Sequence, residues 1–280
     1  MELDKSIILT TIMKTFKTAV VAGKTIWISV NLPSGVHSRS RGMKRNVTRE
    51  QVRENNDRLA VRNLTFILNN NFDETCGHFT LTYKDVPDPE QAARDRENFM
   101  RRMRRAIPDL KSVAVTEYKN HRIHHHIVLS TTDVDLVSRT WKKGFVESTV
   151  LDKSGDYTNL AEYLVKETNK TFRDPDGIHK HRWSASRNLK KPDMKRAEVS
   201  TRELEEDPKP ISGYYIPEDR VRRYIHPVTG IEYLEYMMIA LDKPRNYSVW
   251  PRGKKVSGRE YYSVDVENEQ EDLFAALGLM

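Results

Sequence analysis

The feature that most restricts the fold is a pair of strand-forming runs separated by a turn of a few residues. SVAVTEY begins at residue 112 and IHHHIVLS ends at residue 130, with KNHR between them. Both runs contain β-branched residues at a spacing typical of strands. Because two strands joined by a tight turn must run antiparallel, the sequence predicts an antiparallel hairpin here.

The length of the turn decides which residues face each other across this hairpin. With a two-residue turn, Glu117 pairs with His124. Side chains alternate along a strand, so His124 and His126 project from one face and His125 from the other. Two imidazoles and a carboxylate then converge with coordination positions left open, which predicts a catalytic metal site. A turn with an odd number of residues would remove this pairing.

A competing interpretation makes the three histidines ordinary side chains of a half-exposed strand. It fits His125 best, because His125 shares its face with aliphatic residues and is expected to lie in the core or to support the ligands from behind. For His124 and His126, the carboxylate at the cross-strand position favours the metal site.

Predicted helices and strands alternate around the hairpin. A helix follows the capping-box residues Thr48 and Gln51, HFTLTY is a strand, and three further helices are predicted within DPEQAARDRENFMRRMRRAI, TDVDLVSRTW and DYTNLAEYLVKETNK. The order predicts an α+β fold, with helices packed on a central antiparallel sheet. Residues 48–192 form the main domain, residues 1–47 an extension with a strand and a basic loop, and residues 193–280 a region without an assigned role. The last residues, ENEQEDLFAALGLM, are expected to form a closing helix.

Composition restricts the partner and the compartment. The chain of 280 residues has a formal net charge of +7, which favours a polyanionic partner, most simply nucleic acid. A single cysteine, Cys76, excludes a disulfide framework and indicates a reducing cytoplasm. No apolar run approaches the roughly 18 residues of a membrane span, and the N-terminus is expected to be neither a signal peptide nor an anchor. The AGKT segment is preceded by Thr18 where a phosphate loop needs glycine, so no nucleotide cofactor is expected.

Metal-assisted chemistry on a polyanion requires an attacking group. In LAEYLVKE, Tyr163 and Lys166 are three residues apart and share a helix face. A neighbouring ammonium would favour the phenolate or stabilise the charge of a phosphate. The competing interpretation places Tyr163 in the core and pairs Lys166 with Glu162. Tyr157, near the start of the same helix, is a second candidate nucleophile.

Taken in order, these segments resemble the motifs of HUH-type single-strand endonucleases, which initiate rolling-circle replication. The likeness is to replication-associated proteins of bacterial plasmids, integrated elements and filamentous phages. FTLTY is similar to the first motif, a structural strand, and YLVK to the Tyr-x-x-Lys motif. HHH is similar to the His–bulky–His motif, with His125 in place of the usual hydrophobic residue. Glu117 lies where several branches have a third ligand, and RWSASRNLKKP resembles a segment that follows in the bacterial proteins.

The resemblance implies a ferredoxin-like or RRM-like sheet with the metal hairpin at its middle, and Mg²⁺ or Mn²⁺ as the cofactor. It implies that Tyr163 attacks single-stranded or hairpin origin DNA, that Lys166 steadies the phosphate, and that the product is a 5′-phosphotyrosine. Arg182 and Arg187 would hold phosphate and Trp183 would stack a base. No helicase motif follows, so unwinding would fall to a separate helicase, and the protein would act in the bacterial cytoplasm.

Two other functions are compatible with parts of the sequence. A non-catalytic DNA-binding regulator of replication or transcription would use the same basic surface without a metal face or Tyr163. A metal-free phosphoesterase with paired His-x-Thr motifs would use His78-Phe-Thr80, but the chain offers no second motif of this kind.

Overall fold

The computed structural model describes six stretches of the chain, which fall into two units. The stretches are residues 15–32, 47–119, 122–173, 181–227, 230–241 and 277–278. One unit is Arg53–Pro192, and the other combines Met1–Val52 with Asp193–Met280. The predicted closing helix falls outside the described residues except for a turn at 277–278.

Within the described residues the regular elements are eleven strands and five α-helices. The strands are β1 (Thr15–Ala22), β2 (Thr25–Asn31), β3 (Gly77–Thr82), β4 (Ser112–Lys119), β5 (Arg122–Leu129), β6 (Val146–Val150), β7 (Ser184–Ala185), β8 (Asp193–Val199), β9 (Tyr214–Tyr215), β10 (Val221–Ile225) and β11 (Glu232–Ala240). The helices are α1 (Arg49–Asn71), α2 (Pro89–Ala106), α3 (Val134–Trp141), α4 (Thr158–Arg173) and α5 (Arg202–Glu205). Among the described helices, none combines the length and the apolar composition that a membrane span requires.

Polar side chains cap the helices where the sequence predicts that they begin. The Thr48 hydroxyl accepts a hydrogen bond from the backbone N–H of Gln51, and the Gln51 side chain accepts one from the Thr48 N–H, both at 3.1 Å. Asp88 caps α2 ahead of a proline at its first position, and Asp133 caps α3. These bonds satisfy N–H groups that the first turn of a helix leaves without an intrahelical partner.

The unit Arg53–Pro192 is built on an antiparallel sheet with strand order β6-β3-β5-β4-β7. Its central strand, β5, is the second strand of the predicted hairpin. The α+β fold with a central antiparallel sheet flanked by helices is therefore confirmed. The predicted register is confirmed as well, because Glu117 pairs with His124. The turn residues Asn120 and His121 lie outside the described residues.

The two faces of this sheet support two separate apolar cores. On one face Val113, Val115 and Val128 pack with residues of α1 and α4, among them Leu64, Leu68, Ala161 and Leu164. On the other face Phe79, Leu81 and Ile127 pack with residues of α2 and α3, among them Phe99, Met103 and Trp141. The alternation of side chains along each strand produces this division.

The second unit contains another antiparallel sheet, with strand order β10-β11-β2-β1-β8 and β9 paired to β11. The sequence treated residues 1–47 and 193–280 as separate regions, and the structure pairs β1 with β8 and β2 with β11. The turn between β1 and β2 is the AGKT segment. Gly23 has a φ of 57° there, a conformation suited to glycine in a tight hairpin turn.

Candidate functional site

Polar side chains from four strands lie together on the face of the first sheet that α1 and α4 cover. Strand pairing puts Glu117 beside His124, Thr80 beside His126, and Glu147 beside Thr80. Directly paired residues share a face, and residues two apart on a strand do as well. We call this set the site face; its members are His78, Thr80, Glu117, His124, His126 and Glu147.

Glu117 is the centre of the three predicted ligands. Its Oε2 lies 3.1 Å from Nε2 of His126 and 3.8 Å from Nδ1 of His124. The side chains of Glu117 and His126 are 5% and 2% exposed, whereas that of His124 is 26% exposed. The structure thus brings all three predicted ligands together, with two of them buried and one open to solvent.

The hydrogen bonds of His126 depend on which ring nitrogen carries the proton. Nδ1 lies 3.2 Å from the Thr80 hydroxyl, and Nε2 faces the Glu117 carboxylate. A neutral imidazole has one donor and one acceptor nitrogen. Since an ionised carboxylate only accepts, Nε2–H donates to Glu117, and Nδ1 accepts from Thr80.

The fit of this set to a divalent cation rests on its chemistry and on one side-chain movement. Among the described residues, no three His, Cys, Asp or Glu side chains stand in an arrangement that holds a metal ion as it is. Two imidazoles and a carboxylate without thiolates are nevertheless compatible with Mg²⁺ or Mn²⁺. Glu117 and His126 already touch, and His124, the exposed member, has the freedom to turn toward them.

Tyr163 projects from α4 over the site face. Its ring meets the His126 ring edge-on, with centroids 5.3 Å apart and an interplanar angle of 90°. It is 41% exposed. Burial raises the pKa of the phenol above its ordinary value, and the carboxylates of Glu167, Glu117 and Glu147 raise it further. The phenol therefore keeps its proton next to these carboxylates, and a cation among them would lower that pKa.

Lys166 lies one helical turn beyond Tyr163 and is exposed. The i, i+3 spacing on α4 places both residues along the same side of the helix, as predicted.

Tyr157, the second candidate nucleophile, is a core residue. It is 4% exposed, and its hydroxyl donates to the backbone carbonyl of Asp152 at 3.0 Å. Burial, first of all, raises its pKa. An occupied and buried hydroxyl is poorly placed to attack a bound polymer, so the structure favours Tyr163.

His78 belongs to the site face, although the sequence assigned it only to the phosphoesterase alternative. Its ring stacks on that of His126 at 5.6 Å and 18°, and meets Tyr163 edge-on at 6.2 Å. Burial, together with the neighbouring His126, lowers the pKa of His78 to about 4. Its Nε2 is buried without a hydrogen-bond partner in the described part of the chain. The available signal was the strand alternation of HFTLT, which puts His78 and Thr80 on one face.

His125 lies on the opposite face and is fully buried. Its Nδ1 is 3.0 Å from the Thr116 hydroxyl, and its Nε2 is 3.0 Å from the Tyr83 hydroxyl. Arg96 donates to Thr116 at 3.0 Å, and the Trp141 ring packs edge-on against the imidazole at 5.7 Å. Both ring nitrogens are engaged in this core.

The three residues predicted to contact DNA occupy different environments. Arg182 forms an ion pair with Asp57 of α1, with its side chain 10% exposed. Trp183 packs against the core that α1 and α4 form with the sheet. Arg187 is exposed. Of the three, Arg187 presents its charge to solvent most openly.

Comparison with known families gives one match. Residues 76–172 match a family model of replication-associated proteins, the ORF2 type. The matched stretch covers about a third of the chain and contains every member of the site face, Tyr163 and Lys166. Over this stretch the chain is similar to proteins associated with replication. No curated protein and no solved structure gives a significant match.

Proposed function

We propose that the protein nicks and rejoins single-stranded DNA by tyrosine transesterification, and so initiates rolling-circle replication of a mobile element. The observation that carries this proposal is the position of Tyr163. Its partly exposed ring lies edge-on to His126, whose imidazole bonds Glu117. A phenol next to two imidazoles and a carboxylate suits phosphoryl transfer. The match of residues 76–172 to a replication-associated family supports the same conclusion.

In this proposal Glu117, His124 and His126 hold a Mg²⁺ or Mn²⁺ ion. The bound ion supplies Lewis-acid polarisation of a phosphate oxygen and offsets the negative charge of the surrounding carboxylates. The burial of Glu117 and His126 keeps these side chains ordered and excludes water from behind the site. His124 completes the set from the solvent side.

The reaction exchanges one phosphodiester for another. The phenolic oxygen of Tyr163 attacks the phosphorus, the bond to the 3′ oxygen breaks, and a 5′-phosphotyrosine forms. The proton lost by the phenol balances the proton gained by the departing 3′-hydroxyl. Lys166 stabilises charge on the phosphate or the phenolate. Rejoining is the reverse reaction and needs no nucleotide cofactor.

The proposed partner is single-stranded or hairpin origin DNA in the bacterial cytoplasm, unwound by a separate helicase. Arg187 is the exposed basic residue of the segment that follows α4 and is proposed to hold phosphate. Trp183 and Arg182 contribute to this contact through the surface they build, since both are packed or paired within the protein.

The test is formation of a covalent adduct. A labelled single-stranded origin oligonucleotide with Mn²⁺ should give an SDS-resistant complex with the wild-type protein, and Tyr163→Phe should give none. Tyr157→Phe is the matched control, because it removes a tyrosine hydroxyl from the same part of the chain without touching the site face. It should form the adduct as the wild type does.

Two results would contradict the proposal. An adduct formed by Tyr163→Phe at the wild-type rate would show that another group attacks. Binding of the origin without an adduct, under any divalent metal, would favour the non-catalytic DNA-binding regulator.

A further inference from the structure

We propose that Thr80 and His78 of β3 are positioning residues that fix the tautomer and the ring plane of His126. The inference rests on the proposed function for its purpose, which is to ready His126 as a ligand. Its physical content concerns these side chains alone. It assigns a role at the site to β3, a strand whose sequence suggested only a structural part.

The first step concerns the hydrogen bond from Thr80. Without a bound cation the Thr80 hydroxyl donates to Nδ1 of His126 across 3.2 Å, and Nε2–H donates to Glu117. A cation on Nε2 requires the ring proton to move to Nδ1. Because a hydroxyl both donates and accepts, Thr80 then accepts from Nδ1–H without moving. Thr80 thus supports either tautomer and keeps the ring aligned in both.

The second step concerns the stacked ring of His78. It lies nearly parallel to His126 at 5.6 Å, while Tyr163 contacts His126 edge-on. His126 is therefore enclosed by two aromatic neighbours in addition to its two hydrogen bonds. Such contacts fix the plane of an imidazole and with it the direction of its lone pair.

The third step separates packing from hydrogen bonding at His78. Its Nε2 has no hydrogen-bond partner among the described residues and is buried. A side chain that acts through its ring face needs no such partner. Phenylalanine offers the same face without a buried nitrogen, so it should replace His78 at this site, whereas alanine should not.

The experiment is a calorimetric titration of Mn²⁺ into β3 variants of the full chain. Loss of a group that orients a metal-binding imidazole typically weakens binding by about 10-fold to 100-fold, and we expect this for Thr80→Val and for His78→Ala. Thr80→Ser and His78→Phe should retain the wild-type affinity. Wild-type affinity in Thr80→Val would overturn the role of Thr80, and equal weakening by His78→Phe and His78→Ala would overturn that of His78.

Thr82→Val is the matched control. Thr82 lies on the same strand and the same face, but its hydroxyl donates to the backbone carbonyl of Phe145 at 3.2 Å. Its substitution removes one hydroxyl from β3 without touching an imidazole. Weakening by Thr82→Val as strong as that by Thr80→Val would mean that any loss of polarity on β3 disturbs the site, which contradicts a specific role.

A second readout needs neither metal nor DNA and so stands apart from the proposed function. Imidazole ¹⁵N spectra of the metal-free wild type should show His126 protonated at Nε2 alone, and Thr80→Val should shift that population. If the wild type bound no Mn²⁺, the metal-dependent reaction would fail while these spectra still decided the role of Thr80. An unchanged His126 tautomer in Thr80→Val would reject that role even if Tyr163 formed its adduct.

Discussion

Two faces of a single strand, β5, put the same residue type into opposite surroundings. His124 and His126 lie on the site face beside Glu117, and His124 is open to solvent. His125 lies between them in sequence but in the core on the other side of the sheet, with hydrogen bonds to Thr116 and Tyr83. Position along a strand, and not the imidazole itself, therefore decides whether a histidine is available for binding.

The contrast extends to the hydrogen bonds of each ring. His125 belongs to a chain of bonds with one direction: Thr116 donates to Nδ1, Nε2–H donates to Tyr83, and the Tyr83 hydroxyl lies 3.5 Å from the carbonyl of Ala92. His126 instead faces a carboxylate that is shared with His124. Core satisfaction makes a histidine rigid and inert, whereas a shared carboxylate leaves room for a cation.

The largest expected difference is in stability. His125→Ala removes a fully buried ring and leaves the Thr116 and Tyr83 hydroxyls without a partner, so we expect a loss of about 3–5 kcal/mol in the free energy of unfolding. His124→Ala removes a partly exposed side chain and should cost about 1 kcal/mol or less. Urea unfolding in metal-free buffer measures both. Equal losses would contradict the division of β5 into a core face and a site face.

The next effect is a pH dependence that belongs to the site face. The pKa of His78 is lowered to about 4, so the unfolded chain binds a proton below about pH 6.5 while the folded chain does not. Stability should therefore fall as the pH is lowered through this window, by up to about 3 kcal/mol. His78→Phe should flatten the dependence when urea unfolding is compared at pH 7 and pH 5. A wild-type slope that survives in His78→Phe would assign it to another group.

A smaller effect should come from the core face. Tyr83→Phe removes the acceptor for Nε2–H of His125 and leaves that donor buried, at a cost of about 1–2 kcal/mol. Tyr215→Phe, at a tyrosine that is 43% exposed in the other unit, is the control and should change stability little. If the two variants were equally stable, the Tyr83 hydroxyl would not support His125.

The sequence predicted those parts of the site that depend on neighbouring strands. The register between Glu117 and His124 follows from a short turn and from alternation, both of which are local. The place of Thr80 beside His126 depends on β3, which is distant in sequence, and no local pattern sets that pairing. His78 was accordingly missed as a neighbour of His126 and Tyr163.

The same reasoning explains the second sheet. Its strands come from both ends of the chain, and β1 pairs with β8 across more than half of the sequence. Such pairings leave no periodic trace that identifies the partner. Arg182 was predicted to hold phosphate because it is basic, and its ion pair with Asp57 of α1 depends on the packing of distant segments.

The most direct test of the account is a calorimetric titration of Mn²⁺ into single-histidine variants of β5. We expect His124→Ala to abolish binding, and His125→Ala to retain most of it at a temperature where circular dichroism shows that it is folded. His125→Gln, which keeps a polar side chain in the core, should bind as the wild type does. Binding that survives in His124→Ala and is lost in folded His125→Gln would contradict the assignment of Glu117, His124 and His126 as the metal ligands.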